Sequence, residues 1–260
     1  MILHAENIAE VIQQLEAVVD QTIQESDVHG IFAATYLQMT RRVSLGIDAG
    51  LFDDGERMDR FDTLFANRYF TALAQRRAGE KSCQSWQVVF EGAEETDNIA
   101  LQHMLLGVNA HISFDLPIAA ADTAPGAIED LRDDFERINT IISVLLDEAQ
   151  EVINESSRGM RRIDRMGGDV DEWLALVSLQ KMRARAWSEA QVLAGLSSEC
   201  RKKAEQTSDR NTANLGRLIA RPPRILQSII DLIRLGEQGK TAAIITGLAD
   251  IEADISCLEC

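Results

Sequence analysis

Apolar residues recur along most of the chain at three- and four-residue steps, the spacing that collects side chains on one face of an α-helix. From Glu6 onward, Ile8, Val11, Ile12, Leu15, Val18, Val19 and Ile23 form one such stripe, and Asp27 to Gly30 ends it. A second helix is predicted over residues 31–49, stopping at Gly50, because glycine tolerates the left-handed backbone that closes many helices. A third starts at Asp53 or Asp54, where a carboxylate can cap free amides, and runs to Gly79. Ser82 and Thr96-Asp97 read as caps for a short helix around Trp86 and a longer one from Asn98 to about Asp115, which Pro117 disfavours continuing. Pro125 is expected to open a long helix whose inward side is Ile128, Leu131, Phe135, Ile138, Ile142, Leu145, Leu146 and Val152. Gly167-Gly168 separates it from an element that begins near Asp169 or Asp171 and carries Trp173, Leu176, Leu179, Met182 and Trp187, with Gly195 at a bend or an end. Pro222-Pro223 splits off two last helices, about 224–235 and 240–256.

Nowhere does a β-branched run alternate strictly with polar residues for long. The expected fold class is therefore all-α, a single irregular multi-helix bundle of about ten helices. It is read as one domain over residues 1–260, with 224–260 a candidate C-terminal helical hairpin packed on it. A 45% apolar content over 260 residues supplies a core. With 42 acidic against 26 basic side chains and a net charge of -16, the chain lacks the cationic face that phosphate backbones and anionic membranes require. The expected partner is a small-molecule ligand, with no nucleic acid and no membrane; a homo-oligomer stays open. No apolar run approaches the roughly 20 residues that cross a bilayer, and the N-terminus carries His4, Glu6 and Glu10 rather than a basic stretch leading into an apolar one. The expected location is cytoplasmic. Cys83, Cys200, Cys257 and Cys260 do not make a disulfide scaffold, and Cys257-Leu-Glu-Cys260 has the spacing of half a zinc or redox site without a second close pair.

The most informative stretch runs from Leu101 to Asp115 and holds His103 and His111. Four-residue steps drift by only about 40°, so His103, Gly107, His111 and Asp115 trace a slowly winding line, with Gly107 leaving room between the imidazoles. From first to last that line spans about 18 Å, too far for all three ligands to reach one ion unaided. Adjacent pairs do reach. His111 with Asp115 has the spacing at which a carboxylate shares a metal with an imidazole or orients the ring for proton transfer. His111, His103 and Asp115 are accordingly the candidate catalytic residues, and the same three are the candidate metal ligands, with a divalent metal ion as the candidate cofactor. The competing account is a buried histidine held by a carbonyl or carboxylate. A carboxylate at the negative end of a helix is mismatched, which points to a specific partner for Asp115, such as an arginine.

Other polar positions complete the candidate site. Asn67 and Arg68 fall in an aromatic helix with Phe61, Phe65, Tyr69 and Phe70, where a guanidinium pairs a buried carboxylate or holds an anionic substrate group. Arg183 and Trp187 share a helix face four residues apart, suited to a cation–π contact or a stacking platform. Trp86 and Asn109 join Asn67, Arg68, Arg183 and Trp187 as candidate substrate-binding residues. Asp134 and Asn139 lie on different parts of one helix. Asp53-Asp54-Gly55-Glu56 with Asp59 superficially resembles the magnesium-diphosphate motifs of helical terpene cyclases, but acidic residues are favoured at a helix start in any case. Glycine-rich phosphate loops and Gly-x-Ser-x-Gly elbows are absent.

The run from His103 through Gly107 and Asn109-Ala110-His111-Ile112 to Asp115-Leu116 resembles the signature of DUF5995, a family of mainly bacterial proteins without an assigned function. Tyr36 with Thr40-Arg41, Phe65 to Phe70, Trp86, Asp134-Phe135 with Asn139, and Arg183 with Ala186-Trp187 fit the same pattern, so the resemblance covers roughly residues 30 to 220. It implies an all-helical fold and no particular reaction. From the residues themselves, the leading expectation is a small-molecule enzyme, a metal-assisted hydrolase, lyase or cyclase, with a His/Asp site in an inter-helical pocket. The alternative is a noncatalytic binding or scaffold protein whose buried polar network fixes helix register.

Overall fold

In a computed structural model that describes residues 4–94, 98–156, 178–222 and 224–256, the chain is helical, with no strand among the described residues. Helix α1 (Ile8–Glu25) starts at Asn7, whose side chain accepts from the Glu10 amide, and buries the predicted stripe from Ile8 to Val19. Helix α2 (His29–Asp48) is mostly buried and forms a central post of the bundle. Helix α3 (Gly55–Arg77) is capped by Asp54, which accepts from the Arg57 amide. Asp134 reinforces that start from across the bundle: it accepts from the amides of Asp53 and Asp54 and from the guanidinium groups of Arg57 and Arg137. Asp59 takes the Ile8 amide at the start of α1. The acidic cluster at Asp53 to Asp59 and the Asp133-Asp134 pair thus serve helix starts and ion pairing.

Helix α4 (Gln84–Glu94) is anchored at its start by Asp209, which accepts from the amides of Gln84 and Ser85 and from the Ser85 hydroxyl. Ser82, the expected cap, instead bonds the neighbouring Cys83 carbonyl. Thr96-Asp97, Gly167-Gly168, Asp169, Asp171, Trp173, Leu176 and the Cys257/Cys260 pair lie outside the described residues.

Pro117 does not end the next rod. Helix α5 (Ala100–Ala110) runs through a π-helical turn (His111–Asp115) into α6 (Leu116–Thr123), one continuous helix long and apolar enough to span a membrane by length and composition, yet mostly buried inside the bundle. Gln102, His103, Asn109, His111 and Asp115 interrupt its apolar positions, and what differs from expectation is that the helix continues through Pro117. Helix α7 (Arg132–Ser156) follows a 3-10 turn (Ile128–Leu131), so Pro125 precedes the long helix rather than opening it. Helix α8 (Leu179–Gly195) ends at Gly195, and α9 (Ser198–Ala220) follows. Helices α10 (Arg224–Glu237) and α11 (Thr241–Ala249) close the described chain, the last shorter than predicted. Counting α5 and α6 as one rod gives ten helices among the described residues.

One core runs through the bundle from Val11 and Leu15 on α1 to Ile245 and Leu248 on α11. Trp86, Tyr69, Phe70, Met58, Leu106 and Leu116 are almost wholly enclosed, each apolar side chain worth about 1.5–3 kcal/mol of burial. Gly107 marks the closest approach: a Cβ there would stand 2.4 Å from Cγ of Phe32, so α2 and α5 meet only because residue 107 has no side chain.

Candidate functional site

The π turn follows from Pro117. A proline offers no amide, and its ring clashes with the carbonyl four residues back in a regular α-helix. In the structure the amide of Leu116 reaches five residues back to the His111 carbonyl, widening the turn just before the proline and letting the rod continue. His111 at the start of that turn and Asp115 at its end are both buried, at 2% and 1% exposure.

The Asp115 carboxylate accepts three hydrogen bonds. Arg68 donates through Nε at 2.9 Å, the Trp86 indole N–H at 2.8 Å, and Nδ1 of His111 at 3.1 Å. Arg68 is thus the arginine partner the sequence called for, and it also lies over the Phe114 ring. Because Asp115 is an acceptor, the proton of the neutral His111 ring sits on Nδ1, and Nε2 carries the lone pair. Burial pushes His111 below its ordinary value, against the opposing pull of Asp115, which keeps the ring neutral near pH 7. The ring is stacked on Phe65, centroids 3.5 Å apart, with Tyr36 edge-on at 4.5 Å. Its Nε2 is buried and has no hydrogen-bond partner.

His111 forms part of the wall of a cavity of about 80 Å³. Phe32, Met39, Phe61, Phe65, Ile138 and Leu145 make it largely apolar, and Tyr36, Asp62 and Arg183 add polar groups. The Tyr36 hydroxyl and Oδ2 of Asp62 are buried without partners, like Nε2 of His111. Burial, with a smaller contribution from Asp59, raises the Asp62 carboxyl to about 7. Burial also pushes the Tyr36 phenol well up, so it stays an O–H group. Arg183 is 3% exposed; it donates through Nε to Asn139 and through Nη2 to the Phe135 carbonyl, and it stacks on the Phe135 ring at 4.2 Å.

Asp62 was missed as a site residue, although the sequence carried a signal. It occupies the stripe of Phe65, Ala66 and Tyr69, three, four and seven residues on, where a carboxylate would not be placed for solubility. For Tyr36 the sequence carries only the family resemblance as a signal.

His103 is not brought to His111 and Asp115. Gly107 leaves room, but the Phe32 ring fills it, and His103 faces a separate void of about 10 Å³ with His29, Trp86 and Phe90. There burial, with repulsion from His29, lowers His103 to about 4. Among the described residues, no group of three His, Cys, Asp or Glu side chains is placed to hold a metal ion, and His103 stands apart from the adjacent His111–Asp115 pair. Asn67 brackets Ala5, accepting from its amide and donating to its carbonyl. Asn109 donates to the Thr212 carbonyl and so ties α5 to α9. Trp187 packs on Phe135 at 4.9 Å and does not line the cavity. Arg68, Trp86 and Asp115 border a second, outer cleft of about 430 Å³, so Asp115 stands between that cleft and the cavity beside His111.

A family of unknown function (DUF5995) matches residues 8–222. The match takes in α1, which the sequence resemblance had left out. No curated protein and no solved structure matches the chain. The match extends over most of the chain, and the protein belongs to the DUF5995 family.

Proposed function

We propose that the protein is an enzyme that performs acid–base chemistry on a largely apolar small molecule in the cavity beside His111. The observation that carries this reading is the state of one ring: Nδ1 of His111 is fixed on Asp115, and Nε2 is an unpartnered buried base on a cavity wall. A neutral imidazole held in one tautomer is what a general base requires, and such a base contributes about 10²–10⁴-fold in rate. His111 takes a proton from the substrate at Nε2 and returns it from the same atom. Asp115 positions the ring and stabilises the imidazolium while it exists, and Arg68 and Trp86 hold Asp115 in place. Asp62, protonated below about 7, supplies a hydrogen bond to a substrate oxygen within the same cavity. Isomerisation, elimination and hydrolysis all use these parts.

The second reading, a noncatalytic binding protein, draws support from the Asp115 network, which is satisfied by Arg68, Trp86 and His111 without any ligand. One experiment separates the two. The purified protein and its His111→Gln variant, matched for thermal stability, are incubated with a cellular small-molecule extract, and each species is followed by mass spectrometry. Depletion of a compound with appearance of a product by the parent, absent with the variant, is the expected outcome. Retention of compounds without conversion favours binding alone, and equal conversion by both proteins removes His111 from the chemistry.

A further inference from the structure

A buried arginine normally has a carboxylate beside it, since removing a cation from water costs several kcal/mol unless an opposite charge compensates. The other buried arginine among the described residues follows that rule: Arg42 meets Glu148; half-buried Arg57 likewise meets Asp134. Arg183 does not. Its guanidinium is held by a side-chain amide oxygen, a main-chain carbonyl and an aromatic face, all neutral, and among the described residues it has no anionic partner. It borders the same cavity as His111. Asn139 and Phe135 engage Nε and Nη2, and among the described residues no acceptor engages Nη1. Arg68, the other guanidinium considered for an anionic group, is committed to Asp115.

We infer that the occupant of the cavity is a small apolar carboxylic acid whose carboxylate pairs with Arg183, so that the ligand supplies the counter-ion the protein omits. The inference rests on the reading of this cavity as a ligand site and names the class of molecule it takes. Aliphatic and aromatic walls fit the hydrocarbon part, while Asp62 and Tyr36 face the same space as polar neighbours. Size sets the scale: a cavity of ~150 Å³ holds benzene, so a space of about 80 Å³ suits a short-chain acid. Desolvation lowers the Arg183 guanidinium to about 9, the strain expected of a cation awaiting its partner.

The test is calorimetric titration of the full-length protein at pH 7 with acetate, propanoate and butanoate, each against the matching amide. The acids bind at least about tenfold more tightly than the amides, the worth of one charge-assisted hydrogen bond. Arg183→Gln erases that preference, and His111→Gln keeps it. Ile142→Trp, which fills the cavity with Arg183 intact, abolishes binding and serves if the arginine variant fails to fold. Equal affinity for acids and amides, no binding of either, or a preference that survives Arg183→Gln overturns the proposal. If acids bind with this preference but nothing is turned over, the anchor stands and the catalytic role of His111 falls. If a neutral compound is converted and no acid binds, the reverse holds.

Discussion

His111 and His103 sit two turns apart on one rod, are comparably buried, and differ in almost everything that matters chemically. His111 has a carboxylate on Nδ1, a free Nε2 and a cavity of about 80 Å³ at its ring. His103 has no carboxylate bonded to its ring among the described residues, faces about 10 Å³, and is pushed to about 4 by burial. The pair shows that an imidazole becomes a base through what holds one nitrogen and what space the other meets, not through its place on a helix face. Phe32 divides the two environments, and its ring lies edge-on to His111 at 5.6 Å.

The environment of His111 depends most heavily on Asp115. Asp115→Ala strands Arg68, Trp86 and His111 together, and the expected loss is about 3–5 kcal/mol in denaturant unfolding at pH 7, as for other broken buried pairs; a loss below about 1 kcal/mol would contradict the central role given to that carboxylate. Next comes the divider. Gly107→Ala drives a methyl into Phe32 and costs about 1–3 kcal/mol despite the better helix propensity of alanine, while a neutral or stabilising result would mean that Phe32 moves freely.

The titrating groups give pH-dependent effects. Asp62 has a folded value of about 7 against 3.8 unfolded, so the unfolded state gives up its proton first. The stability contributed by its protonated form is whole below about pH 4 and is lost as pH rises toward 7. Asp62→Asn removes this slope, so melting curves should show the variant gaining on the parent between pH 5 and 8; parallel curves would place Asp62 in water. His103 runs the other way, at about 4 folded against 6.5 unfolded. Its contribution is complete above about pH 6.5 and declines as the pH falls toward 4, because only the unfolded chain takes up the proton. His103→Leu should flatten the acid limb and leave catalysis at neutral pH intact, whereas lost turnover would return His103 to the site.

Periodicity made the fold class and most helix bounds legible. The apolar stripe of α1 and the Asp54 cap of α3 are local signals and appear as predicted. Pro117 misled because its local rule, that proline stops a helix, was met by a π turn that only the surrounding bundle stabilises. Gly107 was correctly read as making room, but the sequence could not say that a phenylalanine from another helix would claim it. His111, Asp115 and Arg183 were recognised by residue type and spacing, and Arg68 as a partner by the carboxylate's mismatch with the helix end. The placing of His111 and Arg183 on one cavity and of Asp115 and Arg68 behind the imidazole, with His103 left out, depends on how α2, α3 and α8 pack around α5, contacts between residues far apart in the chain.

The proposed chemistry depends on one nitrogen, Nε2 of His111, and imidazole nitrogen NMR reads it directly. With uniformly ¹⁵N-labelled protein and the His111→Gln variant for assignment, His111 is expected to be neutral at pH 7 to 8, protonated on Nδ1, with the Nε2 resonance moving when propanoate fills the cavity. A proton resident on Nε2, or a charged ring at pH 7, would contradict it.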